Sequence, residues 1–256
     1  GELMLIKLWR ATYEGMYTFL VGALLKLRYR MQVEGWDTLN INPKQGCLFL
    51  ANHVAEVDPI ILEYLFWSRF HVRPMAVEYL FHSRVVQWFL NSVRSIPIPQ
   101  LVPGKESKRS LERMNVCYEE ASRALNRGES LLLYPSGRLS RTGKEEIVNQ
   151  YSAYVLLHRV MECNVVLVRV SGLWGSAFSR YKQNSTPKLG PAFKEAFRAL
   201  LRRGIFFMPK RFVKITLCQV DHLFLKQFPT KQDLNTFLAS WFNQGDDNLP
   251  IEVPYA

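Results

Sequence analysis

The stretch that decides the fold is Gly46-Cys47-Leu48-Phe49-Leu50-Ala51-Asn52-His53-Val54-Ala55-Glu56-Val57-Asp58-Pro59. Its first six residues form an unbroken small and apolar run of strand length, and an apolar run of that length reads as a buried strand. Asp58-Pro59 then signals a helix start, with aspartate at the cap and proline at the first helical position. A histidine placed directly after a buried strand points into the crevice where α/β folds hold their ligands.

Outward from this segment, short apolar runs alternate with helical stretches, the pattern of an α/β domain. Ser130–Tyr134 and Asn164–Val170 read as two more buried strands, with shorter extended pieces at Arg73–Val77 and Ser95–Ile98 and a late strand at Val213–Val220. Helices are expected over Pro59–Phe70, Ser83–Leu90, Ser107–Asn126, Asn149–Met161, Phe193–Arg203 and Asp233–Phe242. Gly128 closes the third of these. No repeat, low-complexity tract or linker interrupts the pattern.

His53 and Asp58 lie five residues apart. That spacing does not align them on one helix face, but a turn between them would bring carboxylate to imidazole. Such a pair fixes the ring tautomer and leaves the other nitrogen to take a proton from an alcohol. The segment contains neither serine nor cysteine, so direct attack by an acceptor hydroxyl on a thioester fits better than an acyl-enzyme. A capping aspartate beside a hydrogen-bonded histidine would give the same spacing. Glu56, within the turn, is expected to face solvent. A second constellation, Tyr134-Pro135-Ser136-Gly137-Arg138-Leu139-Ser140-Arg141-Thr142-Gly143, follows the strand at 130–134. Turn N–H groups and guanidinium forks together suit a phosphate; an ordinary basic loop is the alternative.

With 33 Lys and Arg against 22 acidic residues, the formal charge is +11, which favours an anionic partner. The arginines are scattered and no nucleic-acid motif occurs, which points to lipid or an acidic carrier rather than nucleic acid. Cys47, Cys117, Cys163 and Cys218 have no metal or redox spacing and sit in apolar surroundings, as expected of a reducing compartment. In the first thirty residues, Leu5, Leu8, Trp9, Met16, Phe19 and Leu20 recur at helical spacing among Lys7, Arg10, Glu14, Lys26, Arg28 and Arg30. The apolar run at 17–25 is too short to span a bilayer, and no cleavage site suggests a signal peptide. An amphipathic helix is expected, its apolar face lying either in a bilayer interface or on the domain core.

Asn52-His53-x4-Asp58 resembles the first motif, NHxxxxD, of the glycerolipid acyltransferases, the superfamily of bacterial 1-acylglycerol-3-phosphate acyltransferases. Val93–Ile98 lies where their second motif is expected. Tyr134-Pro135-Ser136-Gly137 looks like the third, FPEG, and Val165–Val170 like the fourth. Gly137-Arg138-Leu139-Ser140 with Thr142-Gly143, then Val168-Arg169-Val170 and Phe178-Ser179-Arg180, are most similar to the acyltransferase half of 2-acylglycerophosphoethanolamine acyltransferases. The resemblance covers roughly residues 30 to 220. It departs from the pattern where Ser136 replaces the third-motif glutamate and Leu167 the fourth-motif proline.

The resemblance implies an α/β fold with a mainly parallel central sheet flanked by helices; with the amphipathic segment read over 1–30, the acyltransferase domain is expected over 31–256. It implies transfer of an acyl chain from acyl carrier protein or coenzyme A to a lysophospholipid hydroxyl, with His53 as base and Asp58 as its orienting partner. Arg94, Ser136, Gly137, Arg138 and Arg141 would bind substrate. No metal or resident cofactor is expected. The protein would sit peripherally at the cytoplasmic face of the membrane. Ser136 supports an alternative, a catalytically impaired lipid- or carrier-binding module on the same fold.

Overall fold

A computed structural model describes residues 18–100, 107–182, 185–187, 189–202, 204, 209–245 and 249–253. A helix over residues 18–28 (α1) leads into β1 (Tyr29–Glu34). There follow β2 (Cys47–Ala51), α2 (Asp58–Phe70), β3 (Arg73–Val77), α3 (Arg84–Ser92), β4 (Ile96–Ile98), α4 (Lys108–Asn126) and β5 (Ser130–Leu133). The chain continues through α5 (Ser152–Arg159), β6 (Asn164–Ser171), α6 (Leu189–Arg202), β7 (Arg211–Val220), α7 (His222–Lys226) and α8 (Lys231–Phe242).

The strands form one sheet in the order β1-β7-β6-β2-β5-β3-β4, parallel except between β6 and β7. The central strands have no polar side because each serves two cores. Cys47, Phe49 and Ala51 of β2, Leu132 of β5, and Val166, Val168 and Val170 of β6 face one layer with Ile61, Leu62 and Phe66 of α2. Leu48, Leu50, Leu131, Leu133, Val165 and Leu167 face the other, with Ala121 and Leu125 of α4, Leu156 of α5 and Leu238 of α8. Phe49 stacks on Phe66 at 4.4 Å between ring centroids, and truncating so buried an aromatic costs about 3–5 kcal/mol. These α2 side chains are core packing.

Strand β2 lies between β6 and β5, both later in the chain. Helix α2 leaves β2 across one face of the sheet, and α5 carries the chain from β5 to β6 across the other. Crossovers that diverge in this way open a crevice at the carboxyl ends of the strands, directly beyond Ala51.

Several boundaries differ from expectation, among them the starts of α6 at Leu189 rather than Phe193 and of α8 at Lys231 rather than Asp233. Asp58 is the first residue of α2, not its cap, and Pro59 is the second; the aspartate side chain turns back toward the preceding turn. Helix α5 begins at Ser152 rather than Asn149, which has a left-handed φ of 53°. The expected division after residue 30 falls inside β1, and Leu25 of α1 is buried in the core. Residues 18–28 therefore pack on the domain while still exposing Phe19, Leu20 and Leu24. Residues 1–17, and Leu5, Leu8, Trp9 and Met16 with them, lie outside the described residues, as does Arg203.

Candidate functional site at the carboxyl edge of the sheet

Asn52 ends β2 by acting as a piece of backbone. Its Nδ2 donates to the Val170 carbonyl at 2.9 Å and its Oδ1 accepts the Val170 N–H at 2.7 Å. These bonds pin the strand end to β6, so the chain can turn away at His53 without leaving a ladder group unpaired.

The turn then folds around Asp58. Its Oδ2 accepts the N–H groups of Val54 at 2.6 Å and Ala55 at 3.0 Å, and lies 3.3 Å from His53 Nδ1. One buried oxygen thus shapes the turn and faces the imidazole. The ring contact is the longest of the three. On the other side, the Glu56 N–H donates to the Phe178 carbonyl at 2.9 Å, and Ala55 bridges to Ser179. Glu56 is not solvent-facing; it is half-buried, and burial pushes its carboxyl above the usual value.

His53 keeps 15% side-chain exposure and stacks on Tyr134 at 4.3 Å. Burial disfavours its charged form most. The hydrogen bond and charge of Asp58, with Glu56 and Glu145, together outweigh burial and raise its pKa above 6.5. With Nδ1–H given to Asp58, Nε2 carries the lone pair.

The second constellation joins the first through the backbone. Tyr134 turns at Gly137, whose φ of 62° suits glycine and whose N–H donates to the Tyr134 carbonyl at 3.0 Å. The Ser140 N–H then donates to the His53 carbonyl at 2.7 Å. Ser136 is buried, its hydroxyl donating to the Arg138 carbonyl at 2.9 Å. Arg138 is half-exposed and approaches Glu146 at 3.4 Å, and Arg141 is exposed. His53, Asp58, Ser136, Gly137, Arg138 and Arg141 therefore share one edge of the sheet.

Arg94 does not join them. Its Nη2 donates to Glu129 at 2.6 Å, and Glu129 also receives Arg73 Nη1 at 2.9 Å. Burial pushes Glu129 up, but Arg127, Arg73 and Arg94 outweigh it and hold it below the usual carboxylate range. This cluster sits where β3 and β5 begin, so the length of β5, roughly 10 Å, separates Arg94 from the carboxyl edge. A residue leading into a parallel strand belongs to the amino edge of the sheet.

Sequence reasoning missed Glu145. It is 4% exposed, its Oε2 accepts the His53 N–H at 3.1 Å, and burial pushes its carboxyl up to about 7. A signal was present. Gly143, Glu145 and Ile147 alternate with exposed Lys144 and Glu146, so Glu145 shares its side with an apolar neighbour.

A family model described as Acyltransferase matches residues 30–210. No curated protein sequence matches the chain. Among solved structures, the 1-acyl-sn-glycerophosphate (LPA) acyltransferase PlsC from Thermotoga maritima is similar, with a TM-score of 0.54 and 17% identity over 91% of this chain and 86% of that one. The likeness is one of fold, a mostly parallel sheet flanked by helices.

Proposed function

The chain belongs to the acyltransferase family, and from that premise we propose that it acylates the free hydroxyl of a lysophospholipid from an acyl thioester, with His53 as general base. The observation that carries this reading is His53 itself: Nδ1 faces Asp58, Nε2 is left as the basic nitrogen, and its backbone is tied by Ser140 to the loop that carries Arg138 and Arg141. Nε2 removes the acceptor hydroxyl proton as the oxygen attacks the thioester carbonyl. The tetrahedral intermediate expels the thiolate, which takes the proton back from the imidazolium. Asp58 holds the ring and stabilises its cation without becoming protonated. Arg138 and Arg141 suit the acceptor phosphate. The Gly137–Gly143 pattern favours a 2-acylglycerophosphoethanolamine-type reaction, with acyl carrier protein or coenzyme A as donor carrier.

Such a substrate lies in a membrane. Among the described residues no helix is long and apolar enough to cross one. Helix α6 supports docking on a bilayer surface instead. Phe193, Phe197 and Leu201 recur every fourth residue at 44%, 63% and 55% exposure, with exposed Lys194, Arg198 and Arg202 one position on. Apolar and cationic rows side by side suit an anionic interface. Phe193 also packs on Phe178, at 5.1 Å, whose carbonyl holds the catalytic turn. Docking there would bring the lipid close to His53, at the cytoplasmic face if the thioester is to be available.

A second reading, a lipid- or carrier-binding module without turnover, draws on Ser136. The test offers the protein acyl-coenzyme A or acyl carrier protein with a panel of lysophospholipids and follows the products by mass spectrometry. A diacyl phospholipid is expected with at least one headgroup. Tight lipid binding with no new ester from any donor and acceptor would leave the second reading in place of the first.

A further inference from the structure

Ser136 occupies the position where the resembling family carries glutamate, yet the site still holds a buried carboxylate. It comes from nine residues further on. Glu145 is fixed from outside the site, its N–H donating to Asn243 Oδ1 at 2.8 Å and its carbonyl accepting Asn243 Nδ2 at 2.9 Å. Its Oε2 accepts the His53 N–H at 3.1 Å, while the Ser140 N–H binds the His53 carbonyl. Both peptide groups of His53 are therefore held by the 140–145 stretch. The Ser136 hydroxyl lies close enough to favour ionised Glu145, but its one proton points to the Arg138 carbonyl, and Glu145 Oε1 is buried without a hydrogen-bond partner.

A buried carboxylate with one unmatched oxygen is a poor choice for stability alone. A glutamine could accept the same backbone bond without a charge to desolvate. We propose that Glu145 is a positioning residue for His53, supplying from the downstream loop the carboxylate that a motif glutamate at position 136 would supply. The ionisable groups around it are His53, Glu56 and Asp58 of the β2–α2 turn and Tyr134 at the end of β5. Apart from His53, none of these offers Glu145 a positive charge, so the imidazolium is the partner its charge serves, adding to the larger effects of Asp58 and Glu56 on the ring. Burial pushes Glu145 up to about 7, so that charge develops near neutrality.

The inference rests on His53 being the base, but its test does not require turnover. The His53 ring is titrated by NMR in the full chain, in the unmutated protein, Glu145→Gln, Glu145→Asp and the double variant S136E/E145Q, with kcat and KM measured in parallel. Glu145→Gln is expected to lower the His53 pKa and move the acid limb of kcat/KM to lower pH. Its kcat should fall by less than the roughly 10²- to 10⁴-fold expected for loss of the base itself, with KM for the acceptor unchanged. Glu145→Asp and S136E/E145Q should both return the titration toward that of the unmutated protein. Titration of His53 unmoved by Glu145→Gln, or a double variant no better than Glu145→Gln, would overturn the proposal. So would a Glu145→Gln protein less stable than the unmutated chain at pH 8, since Glu145 would then be a structural support only. A shifted His53 in a protein that transfers no acyl group would sink the enzymatic reading, on which the positioning role rests, and leave only the electrostatic link between Glu145 and His53.

Discussion

Oδ2 of Asp58 faces Nδ1 of His53 at 3.3 Å across a turn that the same oxygen builds, by accepting the N–H groups of Val54 and Ala55. Orientation of the base and shape of the loop therefore cannot be separated at this residue, although they can be separated at His53.

Asp58→Asn is expected to reduce kcat by roughly 10³- to 10⁴-fold, the scale of a lost orienting carboxylate, and to cost about 1–3 kcal/mol by disturbing buried donors. His53→Ala should match the loss of activity with little loss of stability. The pH profile gives the sign. His53 must be neutral to act, and its pKa is raised above 6.5, so kcat/KM should rise with pH through a limb above that value. Any activity left in Asp58→Asn should show the limb at lower pH, because the charge that raises it is gone. Denaturant midpoints and a pH–rate series check both halves.

Asn52 contributes structure rather than chemistry. Asn52→Ala strands the N–H and carbonyl of Val170, and each unsatisfied buried group costs about 1–3 kcal/mol. Urea unfolding should show that loss, and protection of the Val170 amide from hydrogen exchange should fall with it.

The two candidate arginine sites separate kinetically. Arg138→Ala should raise KM for the lysophospholipid roughly tenfold, the scale of one charge-assisted hydrogen bond. Arg94→Ala should leave KM alone and cost only about 1 kcal/mol or less, as an exposed pair does. A raised KM in Arg94→Ala would contradict its placement at the amino edge.

For α6, Phe197→Glu should weaken binding to anionic phospholipid vesicles, each buried phenylalanine contributing about 1.5–3 kcal/mol. Binding by the unmutated chain should fall with added salt. Equal vesicle binding by both proteins in a sedimentation assay would remove α6 from the docking surface.

The buried centre of the fold was legible because β2, β5 and β6 serve two cores and so carry no polar side. Edge strand β1 was missed, although Tyr29-Arg30-Met31-Gln32-Val33-Glu34 alternates as a one-sided strand should. Its partner, β7, comes late in the chain, and the antiparallel turn of β7 against β6 leaves no local mark. At the site, His53, Asp58, Ser136 and Arg138 could be located because each follows a strand or opens the helix after one. Arg94 could have been excluded on the same ground, since it precedes Ile96–Ile98. Glu145 sits in a long stretch without regular structure between β5 and α5, where only its alternation with Gly143 and Ile147 revealed which way it faced. Long irregular segments of that kind are frequently functional.

The central claim is that His53 is the base for acyl transfer. Its most direct measurement is single-turnover ester formation from acyl thioester and lysophospholipid, comparing the unmutated protein with His53→Ala at matched folded concentration. A loss of roughly 10²- to 10⁴-fold in the ester-forming rate, with lipid binding retained, is the expected result. Equal rates in the two proteins would contradict it.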